Sequence, residues 1–120
     1  MNKITFLGSP ISTQSLYGLT CRNGYASRYM TKKGKARKES YQWEAKTQYK
    51  KEIIYRKICV EVKLYFGDKR KRDIDNFNKI LYDSCTGIVW NDDDQIIESH
   101  TYILHDKKNP RIELFVYQLI

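Results

Sequence analysis

The sequence predicts an α+β domain in which a mixed sheet of about four strands packs against two helices. Residues 57–66 alternate between apolar and polar side chains, which is the pattern of a strand with one face on a core. Residues 31–56 are rich in the helix formers Lys, Arg, Glu, Gln and Ala. These patterns succeed one another without a linker or repeat, so we expect a single domain over residues 1–120.

The N-terminal part is predicted to form a short strand over residues 3–8 and then a loop or hairpin over residues 11–30. Asn23-Gly24 is a dipeptide typical of tight hairpin turns. The segment is basic and rich in tyrosine, a composition that suits contact with a nucleic-acid backbone. A surface loop without a binding role is the alternative.

One long helix is predicted from Thr31 to about Arg56, with Thr31 or Ser27 as its N-cap. Its expected stripe at helical spacing consists of Tyr41, Ala45, Gln48 or Tyr49, and Glu52-Ile53. Its first turns carry basic side chains that either contact phosphates or form a simple solvated face: Lys32, Lys33, Lys35, Arg37 and Lys38.

A second helix is predicted to begin at Asp73 or Asp75 and to run to about Cys85. Its expected apolar face consists of Ile74, Phe77, Ile80, Leu81 and Cys85. Two further strands are predicted over residues 95–105 and 111–119. Because a short polar turn separates them, we expect them to form a C-terminal β-hairpin.

The formal net charge is +8, but the charge is unevenly distributed. Residues 1–67 hold fourteen Lys and Arg against four Asp and Glu, whereas residues 68–98 hold five against eight. A basic body with an acidic segment is expected of a metal-dependent nuclease, since phosphate contacts need cations and metal ligation needs anions. Solubilising surface charge, with aspartates in turns, is the alternative.

Other classes of protein and site are disfavoured by what the sequence lacks. No apolar segment approaches the roughly 20 residues of a membrane-spanning helix, and the N-terminus lacks a signal pattern, so we expect a cytoplasmic protein. Cys21, Cys59 and Cys85 lack any CxxC spacing, which favours reduced thiols over a disulfide framework or a zinc site. His100 and His105 lack zinc-binding spacing and are expected to be ordinary strand residues.

Five aspartates, which we call the acidic island, follow a run of four cations at residues 69–72: Asp73, Asp75, Asp92, Asp93 and Asp94. A helix N-cap accounts for one of the first pair, and a polar turn requires one or two of the triplet. Neither explains all five. Carboxylates beside a dense basic run hold a divalent metal next to a polyanion, as cleavage of a phosphodiester requires.

The ordered pattern over residues 72–96 resembles the RusA family of Holliday-junction resolvases. The matching residues are Arg72-Asp73-Ile74-Asp75-Asn76, then Lys79, Asp83 and Gly87, then Trp90-Asn91-Asp92-Asp93 and Gln95-Ile96. The family pattern is approximately R-D-x-D-N-x-x-K-x-x-x-D followed by D-D-x-Q-[IV]. Residues 29–36 also resemble the family's segment before its first long helix, so the resemblance covers most of the chain.

The resemblance implies a Mg²⁺-dependent endonuclease, with Mn²⁺ a possible substitute and no organic cofactor. Asp73, Asp75 and Asp93 would be the catalytic metal ligands, Asp92 would assist them, and Lys79 would neutralise phosphate charge in the transition state. DNA would be held by basic and polar side chains: Lys69, Arg70, Lys71, Arg72, Asn76, Lys32, Lys33, Lys35 and Arg28.

The resemblance further implies a homodimer that makes two symmetric nicks in branched DNA, and a phage or prophage origin. Asp94 adds a third acid to the family pattern, which leaves open whether Asp92 or Asp94 is the supporting ligand. Residues 9–12 lack the double proline and asparagine that many relatives carry. A nuclease of broader branched-DNA or fork specificity and a non-catalytic basic DNA-binding module remain as alternatives.

Overall fold

The architecture is a four-stranded mixed sheet with helices on one face and a separate two-stranded sheet, described for residues 2–119 in a computed structural model. The predicted α+β class with a mixed four-stranded sheet is therefore confirmed. The elements in chain order are β1 (Asn2–Leu7), α1 (Thr13–Leu16), β2 (Tyr17–Arg22), β3 (Tyr25–Met30), α2 (Lys32–Gln48), β4 (Ile58–Phe66), α3 (Asn78–Cys85), β5 (Ile96–His105) and β6 (Arg111–Gln118). Two 3₁₀ turns, Ile74–Asn76 and Asp93–Gln95, precede α3 and β5.

Strand β4 is one of two interior strands and pairs with β6 on one edge and with β5 on the other. Along β4, half-buried residues alternate with five buried ones, so the predicted period of two is confirmed: Ile58, Val60, Val62, Leu64 and Phe66. The core lies between this face and the helices. Of the predicted stripe, Tyr41, Ala45 and Tyr49 are buried there, whereas Gln48 and Glu52 are exposed. Tyr41 packs on Phe6 with ring centroids 4.9 Å apart.

The predicted C-terminal hairpin is wrong. The strand order is β1-β6-β4-β5, so β5 and β6 lie on opposite sides of β4. Strand β5 pairs with β4 in parallel, and β6 pairs with it antiparallel. The connection over residues 106–110 crosses the end of β4, where the Asp106 N–H donates to the Phe66 carbonyl at 2.9 Å. In the observed order β5 and β6 each form a ladder with one edge of β4. If β5 and β6 had paired with each other as a hairpin, one edge of β4 would have been left without hydrogen-bond partners.

Helix α2 begins as predicted but ends eight residues early. The Thr31 hydroxyl accepts a hydrogen bond from the Gly34 N–H at 3.0 Å, which confirms the N-cap. The helix ends at Gln48 because the following chain pairs elsewhere. The Ile54 N–H donates to the Val89 carbonyl at 2.8 Å, an extended pairing that a helical conformation would forbid.

The second predicted helix is divided into two parts. A 3₁₀ turn at Ile74–Asn76 is followed by α3, and Phe77 breaks the helical path with φ −127° and ψ −11°. This break lets the Phe77 ring pack edge-on against Phe66, with centroids 5.2 Å apart. Ile74 was expected on the apolar face, but its side chain is 45% exposed because it lies before the break. The other four expected face residues are buried.

The N-terminal segment forms the hairpin that was one of the two predicted alternatives. Strands β2 and β3 pair antiparallel around Asn23 and Gly24, which take φ values of 52° and 80°. Most of this hairpin is exposed. Within residues 2–119 no helix is both long and apolar enough to span a membrane.

Gln95 generates a prediction about stability, because its buried amide joins two segments distant in sequence. Its Nε2 donates to the carbonyls of Ile54 and Arg56 at 2.8 and 2.9 Å, and its Oε1 accepts from the backbone of Asn91 and Asp92 at 2.8 and 2.7 Å. Gln95→Ala should lower the free energy of unfolding by about 2–4 kcal/mol, since these buried groups lose their partners.

Urea denaturation measures this loss, and Gln118→Ala is the matched control. Gln118 is exposed at the end of β6, so its replacement should change the free energy of unfolding by less than about 0.5 kcal/mol. Equal effects of the two substitutions would contradict the role assigned to the Gln95 amide.

Candidate functional site

The first two aspartates of the acidic island lie at the 3₁₀ turn that precedes α3. Asp73 occupies the N-cap position of this turn, yet its side chain makes no capping hydrogen bond. Asp75 lies inside the turn, and both carboxylates are exposed. Within residues 2–119 neither forms an ion pair with a Lys or Arg. The capping explanation therefore fails for Asp73, and both carboxylates are open to a cation.

The aspartate triplet forms the second 3₁₀ turn, and its members have different surroundings. Asp92 caps the turn by accepting from the Asp94 N–H at 3.1 Å, as one half of a capping box with Gln95. Asp93 is half-buried, and its Oδ1 accepts from the Trp90 indole at 3.1 Å and from the Thr86 hydroxyl. These donors fix the orientation of the Asp93 carboxylate, as partners of metal ligands commonly do.

Lys79 and Asp83 form an ion pair on the exposed side of α3, with Nζ 3.3 Å from Oδ2. The Tyr17 hydroxyl donates to the same Asp83 oxygen at 2.5 Å, and the Lys79 ammonium lies 5.3 Å from the Tyr17 ring. Asp75, Lys79 and Asp83 are spaced at intervals of four residues, but only Lys79 and Asp83 share a helix, because α3 begins at Asn78.

Tyr17, at the start of β2, lies close to Asp83 on α3, to Asp93 in the second 3₁₀ turn and to Arg28 on β3. Burial and then the hydrogen bond to Asp83 raise the pKa of Tyr17, the Asp93 charge adds to this, and Arg28 opposes it. The Arg28 guanidinium lies 5.9 Å from the Tyr17 ring. The neighbourhood of Tyr17 therefore contains carboxylates from α3 and the second 3₁₀ turn and a cation from β3.

The position of Tyr17 depends on the start of α2. The carbonyl of the buried Leu16 accepts from the Thr31 N–H at 3.0 Å and from the Thr31 hydroxyl at 3.1 Å. A Cβ at Gly34 would lie 2.2 Å from that carbonyl oxygen, so glycine is required for this close approach. The first turn of α2 is thereby fixed against the residue that precedes Tyr17.

An open groove of about 440 Å³ lies between the hairpin and the first 3₁₀ turn. It brings together Arg28 and Asn76, two of the residues expected to contact DNA, beside Tyr17. The remaining lining residues are Thr13, Gln14, Gly18 and Leu19. An open groove with a cation and amide at its edge suits an extended polyanion better than an enclosed small molecule.

The basic residues of the expected DNA surface differ in availability. Lys69, Arg70 and Lys71 are exposed after β4. Arg72 is instead held within the protein, since its Nη2 lies 2.6 Å from Asp68 Oδ1 and its guanidinium lies 3.8 Å from the centroid of the Phe66 ring. Hydrogen bonds from the Arg70 N–H and from Arg72 lower the pKa of Asp68. A DNA contact by Arg72 therefore competes with these bonds.

The first turn of α2 is also exposed, with Lys32, Lys33 and Lys35 at its surface and no acidic residue. Cations at a helix N-terminus oppose the helix dipole and cost stability. An anion bound at this helix end would offset that cost, because both the lysines and the free backbone N–H groups face it.

The acidic island fits Mg²⁺ in donor chemistry, since the cation prefers carboxylate oxygens and retains several waters. The island does not form a closed ligand set: within residues 2–119, no three of its carboxylates have oxygens all within 4.8 Å of one another. Waters kept by the ion would span the wider separation. Asp93 is the candidate ligand whose carboxylate is fixed by side-chain donors, and the other four aspartates of the island are exposed.

Sequence reasoning missed the residues that orient this site. Tyr17 is 66 residues from Asp83, so no local pattern connects them. Trp90 and Asp83 belong to the matched pattern, but only the fold shows that they support Asp93 and Lys79. The spacing of Thr86, Trp90 and Asp93 at intervals of four and three residues is the signal that could have revealed the donor set.

Comparisons with known proteins give one family. A family model described as Endodeoxyribonuclease RusA matches residues 9–117. A curated protein named Crossover junction endodeoxyribonuclease RusA, from Aquifex aeolicus (strain VF5), is 41% identical over 61 residues, which cover 49% of this chain and 48% of the relative. The alignment thus spans about half the length of that relative.

The raised pKa of Tyr17 generates a prediction about pH. The unfolded chain releases this phenol proton near the ordinary tyrosine pKa of about 10, whereas the folded chain retains it to higher pH. The contribution of Tyr17 to stability should therefore be complete below about pH 10 and be lost as pH rises further. Urea denaturation between about pH 8 and 11 should show a steeper decline for the wild type than for Tyr17→Phe. Parallel curves would refute this.

Proposed function

Because the chain belongs to the RusA family, whose model matches residues 9–117, we propose that it is a metal-dependent endonuclease that resolves four-way DNA junctions. The printed name of the relative from Aquifex aeolicus supports this activity. The observation that carries the proposal is the acidic island itself. Its carboxylates lie in a basic protein, and Asp75 adjoins in the chain Asn76, which lines the open groove together with the cation Arg28.

DNA binding is assigned to two exposed basic surfaces that flank the acidic island. One is the connection after β4, with Lys69, Arg70 and Lys71; the other is the first turn of α2 with Arg28 nearby. Such contacts position the phosphate backbone without reading sequence. A nuclease with such contacts would recognise the shape of a branch, and the scissile phosphate would lie beside the aspartates.

In the proposed reaction Asp73, Asp75 and Asp93 hold the metal, and Asp92 assists. A bound Mg²⁺, or Mn²⁺ in its place, would supply an activated water and stabilise the departing 3′ oxygen. Asp92 uses one carboxylate oxygen to cap the second 3₁₀ turn, which leaves the other for a metal-bound water. Asp92 can therefore cap the second 3₁₀ turn and assist the metal ligands at the same time. Asp94 is exposed and stays the alternative supporting ligand.

Lys79 is assigned to the charge that develops on the phosphate. In the structure its ammonium pairs with Asp83, so it must exchange that partner for a phosphate oxygen. The Tyr17 hydroxyl retains its bond to Asp83, which keeps the carboxylate satisfied when Lys79 turns away. Tyr17 and Asp83 are thus positioning residues for Lys79.

We also propose that the active form is a homodimer, because a four-way junction presents two equivalent strands to a two-fold axis. Strand β5 supports this assignment. It is one of the two edge strands of the sheet, is ten residues long, and exposes Ile97 and Ile103 by 59% and 40%. The unpaired N–H and C=O groups of such an edge are a template for pairing with another chain. A cytoplasmic location and a phage or prophage origin remain predictions.

Cleavage of a mobile synthetic four-way junction tests the proposal. With Mg²⁺ the wild type should make paired symmetric nicks, and EDTA should abolish them. Asp75→Asn should lower the rate by at least about 100- to 1,000-fold because a metal ligand is lost. Binding of the junction should persist or strengthen, since one negative charge near phosphate is removed.

The matched control is Glu39→Gln, which removes an exposed carboxylate from α2 away from the island and should leave cleavage intact. Junction binding without cleavage under every divalent ion would refute the enzyme and leave a basic DNA-binding module. Equal cleavage of forks, flaps and four-way junctions would instead establish a nuclease of broader branched-DNA specificity.

The first turn of α2 generates a separate prediction about salt dependence. Lys33→Gln should weaken junction binding and reduce the slope of log K against log salt by about 1, because one phosphate contact is lost. Fluorescence anisotropy over a salt series measures the slope. Lys46→Gln, at the opposite end of the same helix, should leave it unchanged; an equal reduction there would indicate a diffuse charge effect.

A further inference from the structure

The face of the sheet that points away from the helices carries a second set of metal-ligating side chains. Cys59, Glu98 and His100 place a thiol sulfur, a carboxylate oxygen and an imidazole nitrogen all within 4.8 Å of one another. Cys59 and Glu98 are direct partners in the parallel ladder of β4 and β5, and His100 follows two residues later. Register therefore places the three side chains on one face.

Glu61 completes a four-residue square on this face. It is the ladder partner of His100 and follows Cys59 by two residues on β4. Its Oε2 accepts a hydrogen bond from the Tyr117 hydroxyl at 3.3 Å. The square therefore offers one thiol, one imidazole and two carboxylates from adjacent positions of two paired strands.

The two carboxylates of this square have no lysine or arginine partner in the part of the chain that the structure describes. Within residues 2–119, neither Glu61 nor Glu98 has a Lys or Arg nitrogen within 4.0 Å, and the ion-pair partner of Glu98 is His100 at 3.1 Å. On the same sheet face, Glu113 is paired with both Lys3 and Arg111. The thiol, the imidazole and the two carboxylates therefore keep donor capacity for an external cation.

The donor types decide which cation. Mg²⁺ takes oxygen ligands, whereas a thiolate and an imidazole together favour Zn²⁺ and chemically similar metals. Tetrahedral Zn²⁺ with ligand bonds of about 2.0–2.3 Å needs donor atoms roughly 3.3–3.8 Å apart. Because Glu98 and His100 are about half exposed, their side chains can make this small adjustment. The Glu61 carboxylate lies outside the set of three donors within 4.8 Å of one another, so its side chain would have to turn toward the ion.

We propose that Cys59, Glu98 and His100 bind one Zn²⁺, with Glu61 as the fourth ligand. On binding, the Cys59 thiol gives its proton to solvent and the sulfur becomes the ligand. The sequence spacing concealed this site, because its ligands come from two strands separated by the whole of α3. The site is independent of the proposed nuclease reaction.

The bound ion would fasten β5 to β4. Among residues 2–119, the one strand that pairs with β5 is β4. On the other face of β5, Ser99 and Thr101 form hydrogen bonds with the Tyr82 hydroxyl and the Asn78 amide at 2.8 and 2.9 Å. The strand also follows directly from the turn that holds Asp93. Zinc on one face would thus stabilise the strand that supports the acidic island on the other.

Titration of metal-free protein with Zn²⁺ and with Co²⁺ tests the proposal, in saturating Mg²⁺ to occupy hard-ligand sites. One Zn²⁺ should bind per chain, Co²⁺ should give a thiolate charge-transfer band, and Zn²⁺ should raise the melting temperature. Cys59→Ser and His100→Gln should each weaken Zn²⁺ binding by more than about 100-fold, beyond the loss expected for an outer-shell partner.

The chain supplies matched controls, since Cys21 is an exposed thiol on β2 and His105 is the other histidine, at the far end of β5. Cys21→Ser and His105→Gln should retain the affinity, the Co²⁺ band and the rise in melting temperature. Asp75→Asn should also retain them, while losing nuclease activity if that separate proposal holds. The proposal would be overturned if the wild type bound Zn²⁺ no more tightly than the double variant Cys59→Ser/His100→Gln. An equal loss of Zn²⁺ affinity in the control variants would also overturn it.

Discussion

The pairing of β4 along both of its edges determines where the other features of the molecule lie. Its ladders with β5 and β6 fix the sheet, and its strict alternation divides that sheet into two unlike faces. One face holds the helices, the core and the acidic island. The other holds polar and aromatic side chains that no helix covers. Because a shift of one residue would exchange the two faces, the buried alternation of β4 also protects both candidate metal sites.

How far the sequence could predict this molecule depended on the range of the interactions. The alternation of β4, the Thr31 cap and the Asn23-Gly24 turn are local, and each was predicted correctly. The pairing partner of β5 is not local in sequence: the short polar turn after β5 favoured pairing with β6, but β5 pairs with the free edge of β4 instead. The predicted continuous helix through Phe77 was wrong for a related reason, since packing of Phe77 on Phe66 outweighed the local helix propensity.

The candidate site follows the same division. The acidic residues and the cations were visible in the sequence because they are contiguous, whereas the residues that orient them were not. Tyr17 reaches Asp83 only through the fold, and the indole of Trp90 reaches Asp93 only because the chain turns after α3. Arg72 shows the converse, since a residue within the basic run proves to be occupied by Asp68 and Phe66. Composition identifies a chemistry, but packing decides which members of a cluster are free.

The hairpin of β2 and β3 joins the rest of the molecule only near its base, at Tyr17 and Met30, while residues 19–29 are exposed. Because its outer part contributes little to the core, substitutions there are nearly free of cost in stability. Selection can therefore alter this arm, which we propose to contact DNA, without disturbing the carboxylates. Divergence in substrate preference within such a family can proceed by changing this arm alone, and a transplanted hairpin offers an engineer the same freedom.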